Sequence, residues 1–261
     1  MMKFISTISL IIISLAANAQ EEKIITDRPG FTIDPGTVPK KWIQTETGFS
    51  RQTEKLGPGV KDHFMQNPVL LVKYGIVKRV ELRALTELGT QQDGSSFGTT
   101  TYKGINRVEL GAKFNFLDEK GIRPKTSLIV HYHFNHLRTI FHDTLDGGDF
   151  RFAMLHTVSK TVLIRYNIGM EWKAFIDHPY YVYSFSPGFN ISERWYAYVE
   201  AYGYIWKGYY PMNSLGAGLA FYINDNLKVD ASAGIGLSKL APDNFYAFGA
   251  SFRFRTSKKA E

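Results

Sequence analysis

The chain has 261 residues and no cysteine, and it is 44% hydrophobic, 15% aromatic and 21% charged. Lack of cysteine excludes a disulfide framework, a thiolate metal site and a cysteine nucleophile, and the aromatic content excludes a disordered chain. A mean hydropathy of −0.18 excludes a polytopic helical membrane protein, which needs several apolar runs of roughly 18 residues or more. The formal net charge of +7 comes without a clustered Lys/Arg stripe, so nucleic acid is not expected as a partner.

In chain order, Lys3, the apolar run from Phe4 to Leu15 and the small residues Ala17-Asn18-Ala19 form a secretory signal over 1–19, with Gln20 as the first mature residue. Residues 20–41 follow as an extended segment. Pro29, Pro35 and Pro39 forbid a regular helix or a central strand there. From 42 to 254 the sequence alternates with a period of two in about twelve stretches, at 42–51, 67–76, 80–88, 105–116, 124–135, 149–158, 161–172, 180–189, 195–205, 214–223, 227–237 and 245–254. A basic tail, 255–261, closes the chain.

Alternation alone fits a soluble sandwich as well as a membrane barrel. Connections separate the two. Short turns at 77–79, 117–121, 159–160, 190–194 and 224–226 alternate with longer polar loops at 52–66, 89–104, 136–148, 173–179, 206–213 and 238–244. Short turns at one rim and long loops at the other are the habit of outer-membrane barrels. Trp42, Trp172, Trp195 and Trp206 fall near strand ends, where membrane interfaces favour amphipathic rings. The expected fold is therefore all-β: an antiparallel up-and-down transmembrane β-barrel of about 12 strands, in the outer membrane of a Gram-negative bacterium and in contact with its lipid.

Thr26-Asp27-Arg28-Pro29-Gly30-Phe31-Thr32, Pro35-Gly36-Thr37-Val38-Pro39-Lys40 and Gln44-x-Glu46-x-Gly48-Phe49 resemble the opening of bacterial outer-membrane barrels labelled transporters or "meta-pathway of phenol degradation" proteins. Tyr74-Gly75-Ile76-x-x-x-Val80-Glu81-Leu82-Arg83 is similar to that family's second hairpin. The detailed match covers the first third of the chain. What the resemblance implies is a barrel that passes a small solute. The motif itself does not specify the solute.

With the apolar parity facing lipid, the other parity lines the lumen. It offers Glu46, Lys73, Glu81, Arg83, Glu87, Arg107, Glu109, Lys113, Arg165, Glu171 and Glu200 as candidates, with Lys228, Asp230 and Arg253 near the C-terminus. Interleaved charges of both signs should pair across strands, because an unpaired charge away from water is costly. A dozen strands lies between a side-chain-filled barrel and an open pore, so a constricted polar passage is expected. Asp27 and Arg28 are candidates for a mouth or plug, with Arg28 expected to meet Glu46 or Glu81. The alternative is a leader outside the barrel.

Two other function classes stand beside the channel. One is a non-conducting structural or assembly-accessory barrel serving another outer-membrane protein. The other is a lipid hydrolase, which needs a Ser–His pair. Ser127 lies four strand positions from His131, too far for direct activation. His131 and His133 share a strand face, with His136 and His142 in the next loop, and Asp143 or Asp149 could complete a metal site; lumen or rim histidines are the preferred reading. No enzyme activity, cofactor or metal is expected.

Overall fold

The computed structural model describes residues 23–57, 60–134, 146–173 and 178–256. The expected signal at 1–19, most of the tail, and His136, His142 and Asp143 lie outside the described residues. The strands are β1 (Trp42–Gly57), β2 (Val60–Val77), β3 (Val80–Ser95), β4 (Gly98–Leu117), β5 (Lys125–His133) and β6 (Gly147–Thr157), then β7 (Val162–Trp172), β8 (Tyr180–Asn190), β9 (Trp195–Ile205), β10 (Met212–Asn224), β11 (Leu227–Gly236) and β12 (Asn244–Arg255). Each pairs antiparallel with its sequence neighbour, and β1 closes on β12 from Trp42↔Arg255 to Thr53↔Asn244. Closure leaves no open sheet edge around the wall, which a strand structure in lipid requires.

Polarity settles the class that periodicity left open. Leu82, Leu110, Phe185, Val199, Leu219 and Phe248 are exposed on the outside. Lys73, Lys113, Gln44, Glu46, Glu81 and Glu200 are each less than 2% exposed on the inside. A soluble sandwich buries its apolar parity; this wall does the reverse, because its outer solvent is hydrocarbon. Strands β5 to β12, of 9–13 residues, match the roughly 9–11 residues that a tilted strand needs to cross a bilayer.

Two of the expected loops are strand instead. Residues 52–66 and 89–104 mostly extend the β1–β2 and β3–β4 hairpins, with pairs such as Glu54↔Asp62 and Asp93↔Thr100. Beyond the bilayer no apolar face is needed, so polar residues continue the hydrogen-bond ladder while the period-two signal disappears. Trp42 also departs from an interfacial belt. It is 6% exposed and turned inward, with the Arg253 guanidinium 5.0 Å above its ring, whereas Trp172 and Trp195 face outward.

Candidate functional site in the barrel lumen

Every second side chain of each strand enters the lumen. Among them runs the N-terminal segment, residues 23–41. It enters at the rim of short turns, where the Ile24 N–H donates to the Asp225 carbonyl at 2.8 Å. At Phe31 it reaches rings on the far half of β9, stacking on Tyr202 at 4.4 Å between centroids. It returns to Lys41, whose N–H donates to the Gly75 carbonyl at 2.8 Å. Prolines keep the segment from forming its own secondary structure, so its backbone groups are left to the wall.

The wall answers them residue by residue. Glu46 accepts the N–H groups of Asp27 and Arg28, both at 3.0 Å, and pairs with Lys73. Glu200 accepts from the Phe31 and Thr32 N–H groups at 2.8 and 3.0 Å and from the Thr32 hydroxyl at 3.0 Å. Asn167 clamps Ile33 from both sides, accepting its N–H at 2.7 Å and donating to its carbonyl at 3.0 Å. Lys113 donates to the carbonyls of Asp34 and Gly36, Ser127 to that of Pro35, and Glu81 accepts the Val38 N–H at 2.7 Å.

Two aspartates anchor the segment by charge. Asp27 accepts from Arg83 at 2.5 Å and Lys113 at 3.1 Å, and Lys73 lies 3.6 Å away. Burial pushes its carboxyl up, but the charges of Arg83, Lys113 and Lys73 outweigh burial and hold it well below the ordinary aspartate range. Asp34 meets Arg165 at 2.5 Å. There too burial is outweighed, by the Arg165 charge and hydrogen bond and by the Gly36 N–H, and the carboxyl is lowered.

Arg28 meets Glu46 through its backbone N–H, but its guanidinium takes another partner. Its guanidinium donates to Asp230 at 3.0 Å, not to Glu46 or Glu81. Those two carboxylates are already met by Lys73, and by Arg83 and Lys113. The slot is made by Gly48 and Gly249, which face each other across β1 and β12. A Cβ at Gly48 would lie 2.5 Å from the Arg28 Cζ, and one at Gly249 2.6 Å from its Nε.

Of the candidates read from sequence, Glu46, Lys73, Glu81, Arg83, Lys113, Arg165 and Glu200 touch the segment or its ion pairs. Glu87, Arg107, Glu109 and Glu171 stand apart, in a second layer nearer the long connections. There Arg107 pairs with Glu109 and approaches Glu171 at 3.9 Å, and Glu87 accepts from Asn106. Residues not singled out for the lumen include Asp34, Phe31, Asp149 and Arg151. Asp149 and Arg151 were legible, since they alternate with the outward Phe150 and Phe152 on β6. Asp34 and Phe31 belong to no periodic stretch, and their partners lie on β7 and β9, far along the chain.

The profile of the family described as "Putative MetA-pathway of phenol degradation" matches residues 26–254. No curated protein matches the sequence. Among solved structures, an outer-membrane channel from Pseudomonas putida F1 superposes with a TM-score of 0.67 at 10% identity, covering 91% of this chain and 100% of that one. The NanC porin gives a TM-score of 0.53 at 11% identity, covering 80% and 98%. The translocator domain of the autotransporter NalP from Neisseria meningitidis gives 0.52 at 11% identity, covering 83% and 90%. At such identities the likeness is one of fold: a transmembrane β-barrel of the outer-membrane kind.

Proposed function

The chain belongs to the phenol-degradation MetA-pathway family, and from that premise we propose that it is an outer-membrane channel for small solutes, closed by its own N-terminal segment acting as a plug. One observation carries the reading: away from the Phe31 stack on Tyr202, the wall holds the plug's backbone and aspartates through buried charged and polar side chains. Lys73, Lys113, Glu46, Glu81 and Glu200 are buried against residues 23–41. A barrel meant only to be filled has a more favourable solution, because replacing buried ion pairs by well-packed apolar groups is often neutral or stabilising by about 1–4 kcal/mol. Polar facing surfaces are needed when water must re-enter as the plug leaves. This favours the channel over a non-conducting structural barrel.

Phe31, Tyr202, Tyr204, Tyr180 and Trp206 form a connected set of rings toward the long connections. Planar rings stack on such surfaces. Together with the family description, they favour a small aromatic solute. Transport rather than catalysis fits the serine on the histidine-bearing strand, since the Ser127 hydroxyl is committed to the Pro35 carbonyl.

Flux into liposomes tests the proposal, comparing the full chain with a variant lacking residues 23–39. The full chain should pass small aromatic solutes slowly, and the shortened chain should conduct ions and solutes at least tenfold faster. If neither form conducts, the structural reading replaces this one.

A further inference from the structure

Above the plug, three neighbouring strands bring together a group of side chains that solute passage does not require. We propose that Glu109 on β4, His133 on β5 and Asp149 on β6 form a binding site for a divalent transition-metal ion of the Zn²⁺ type. All three residues are buried, and their ligand atoms lie within 4.8 Å of one another. Sheet register places them: Glu109 pairs directly with His133, and Asp149 with His131 two residues earlier on β5. Rigid neighbouring strands hold donors more exactly than loops do.

Proton inventory is the first argument. The His133 Nε2 lies 2.7 Å from an Asp149 oxygen and 3.1 Å from a Glu109 oxygen. One ring nitrogen carries at most one hydrogen, and both carboxylates are acceptors only when ionised. A metal ion bonded to one donor atom of each residue takes the place of the contested hydrogen. Bonds of about 2.0–2.1 Å in a tetrahedral site set donor atoms roughly 3.3 Å apart, so the two His133 separations of 2.7 and 3.1 Å would widen and the two carboxylate oxygens, within 4.8 Å of each other, would adjust to the same spacing.

A second argument comes from outside the three donors. His131 receives a hydrogen bond from the Arg83 Nε at 3.0 Å, which makes its Nε2 the acceptor and leaves Nδ1–H to donate to Asp149 at 3.1 Å. Arg107 pairs with Glu109 through the same Oε1 that faces His133, so it fixes where that oxygen sits. Partners that hold the ligands themselves are the usual second layer of a metal centre. Charge agrees: among the described residues this layer has the carboxylates Glu87, Glu109, Asp149 and Glu171 against the guanidiniums of Arg107 and Arg151, with Lys173 47% exposed at its margin. A divalent ion offsets the excess. An imidazole with two carboxylates selects Zn²⁺, Co²⁺, Ni²⁺ or Cu²⁺ over Mg²⁺ and Ca²⁺, which prefer all-oxygen sites. Through His131 and Arg83 the ion would stand two side chains away from Asp27 of the plug.

The test uses the full-length barrel in detergent, stripped with chelator and titrated with Co²⁺, whose visible bands report a tetrahedral nitrogen–oxygen site, and then with Zn²⁺ in competition. Wild type should take up one ion that Mg²⁺ does not displace. His133→Ala and the near-isosteric Asp149→Asn should each weaken it at least tenfold, while His156→Ala, on the opposite face of β6, should leave it intact. Wild type showing no such bands overturns the proposal without recourse to any variant. So does binding that survives both Asp149→Asn and Glu109→Gln, or that is lost in His156→Ala alone.

Discussion

Arg83 of β3 and Asp27 of the N-terminal segment meet at 2.5 Å with side chains 3% and 10% exposed, 56 residues apart in the chain. The same guanidinium also donates to Glu81 at 2.8 Å and to His131 at 3.0 Å. One wall residue thus holds the N-terminal segment, the proposed plug, from below and reaches the upper layer of the lumen. Breaking a buried pair by removing one partner costs far more than the pair contributes, because the other charge is left behind.

Asp27→Asn should therefore free the plug while sparing the wall. It removes the charge that Arg83, Lys113 and Lys73 share and leaves those three cations with only Glu81 and Glu46. A loss on the order of 3 kcal/mol in plug seating, roughly a hundredfold in the closed-to-open ratio, follows from the usual cost of such a breach. Single-channel open probability reads it. An unchanged open probability, with an unchanged barrel, would mean that Asp27 does not hold the plug.

Acid should act the same way without any mutation. Asp27 and Asp34 have folded values below the ordinary 3.8, so their contribution is fully present above that value and is lost as pH falls through the lowered one. Conductance should stay flat from pH 7 down to about 4 and rise only below that. The groups facing Asp27 are Glu46, Lys73, Glu81, Arg83 and Lys113. A conductance step near pH 6 would point to the histidines instead.

Gly48→Ala should separate plug from wall energetically. The added Cβ meets only the far end of the flexible Arg28 side chain, which can swing away from Asp230. Unfolding of the barrel should stay within about 0.5 kcal/mol of wild type, as for most changes that touch no core packing. Residues near Arg28 should become more open to protease. Equal protease resistance in the two proteins would show that the Gly48–Gly249 slot is not what seats Arg28.

Arg107 should tune selectivity in an open channel. Its side chain is 35% exposed and lies outside the plug contacts, unlike Arg83. In the variant lacking 23–39, Arg107→Ala should move the reversal potential away from anion preference, because a fixed positive charge leaves the passage. The same substitution in the full chain should leave the plug seated. A reversal potential that does not move would place Arg107 off the conduction path.

Sidedness can be read with single cysteines, since the native chain has none. On whole cells an impermeant maleimide should label Ser96→Cys at the tip of the β3–β4 hairpin and miss Lys78→Cys in the β2–β3 turn. The reverse pattern would invert the barrel.

What the sequence determined by itself was the wall. Strand number, antiparallel order and the inward parity of Glu46, Glu81 or Arg165 follow from a period of two and from loop lengths, both local properties. Where local physics stops demanding alternation, at 52–66 and 89–104, the strands continued unseen. Tertiary structure alone decided what the inward charges meet. The segment 23–41 has no period, and its partners sit up to 215 residues away, as with Thr256 and Lys41. Nothing along the chain ranks Asp230 over Glu46 as the counter-charge of Arg28. That choice is made by which carboxylates are already paired once the barrel closes, and by two glycines, Gly48 and Gly249, that become neighbours only when β1 finds β12.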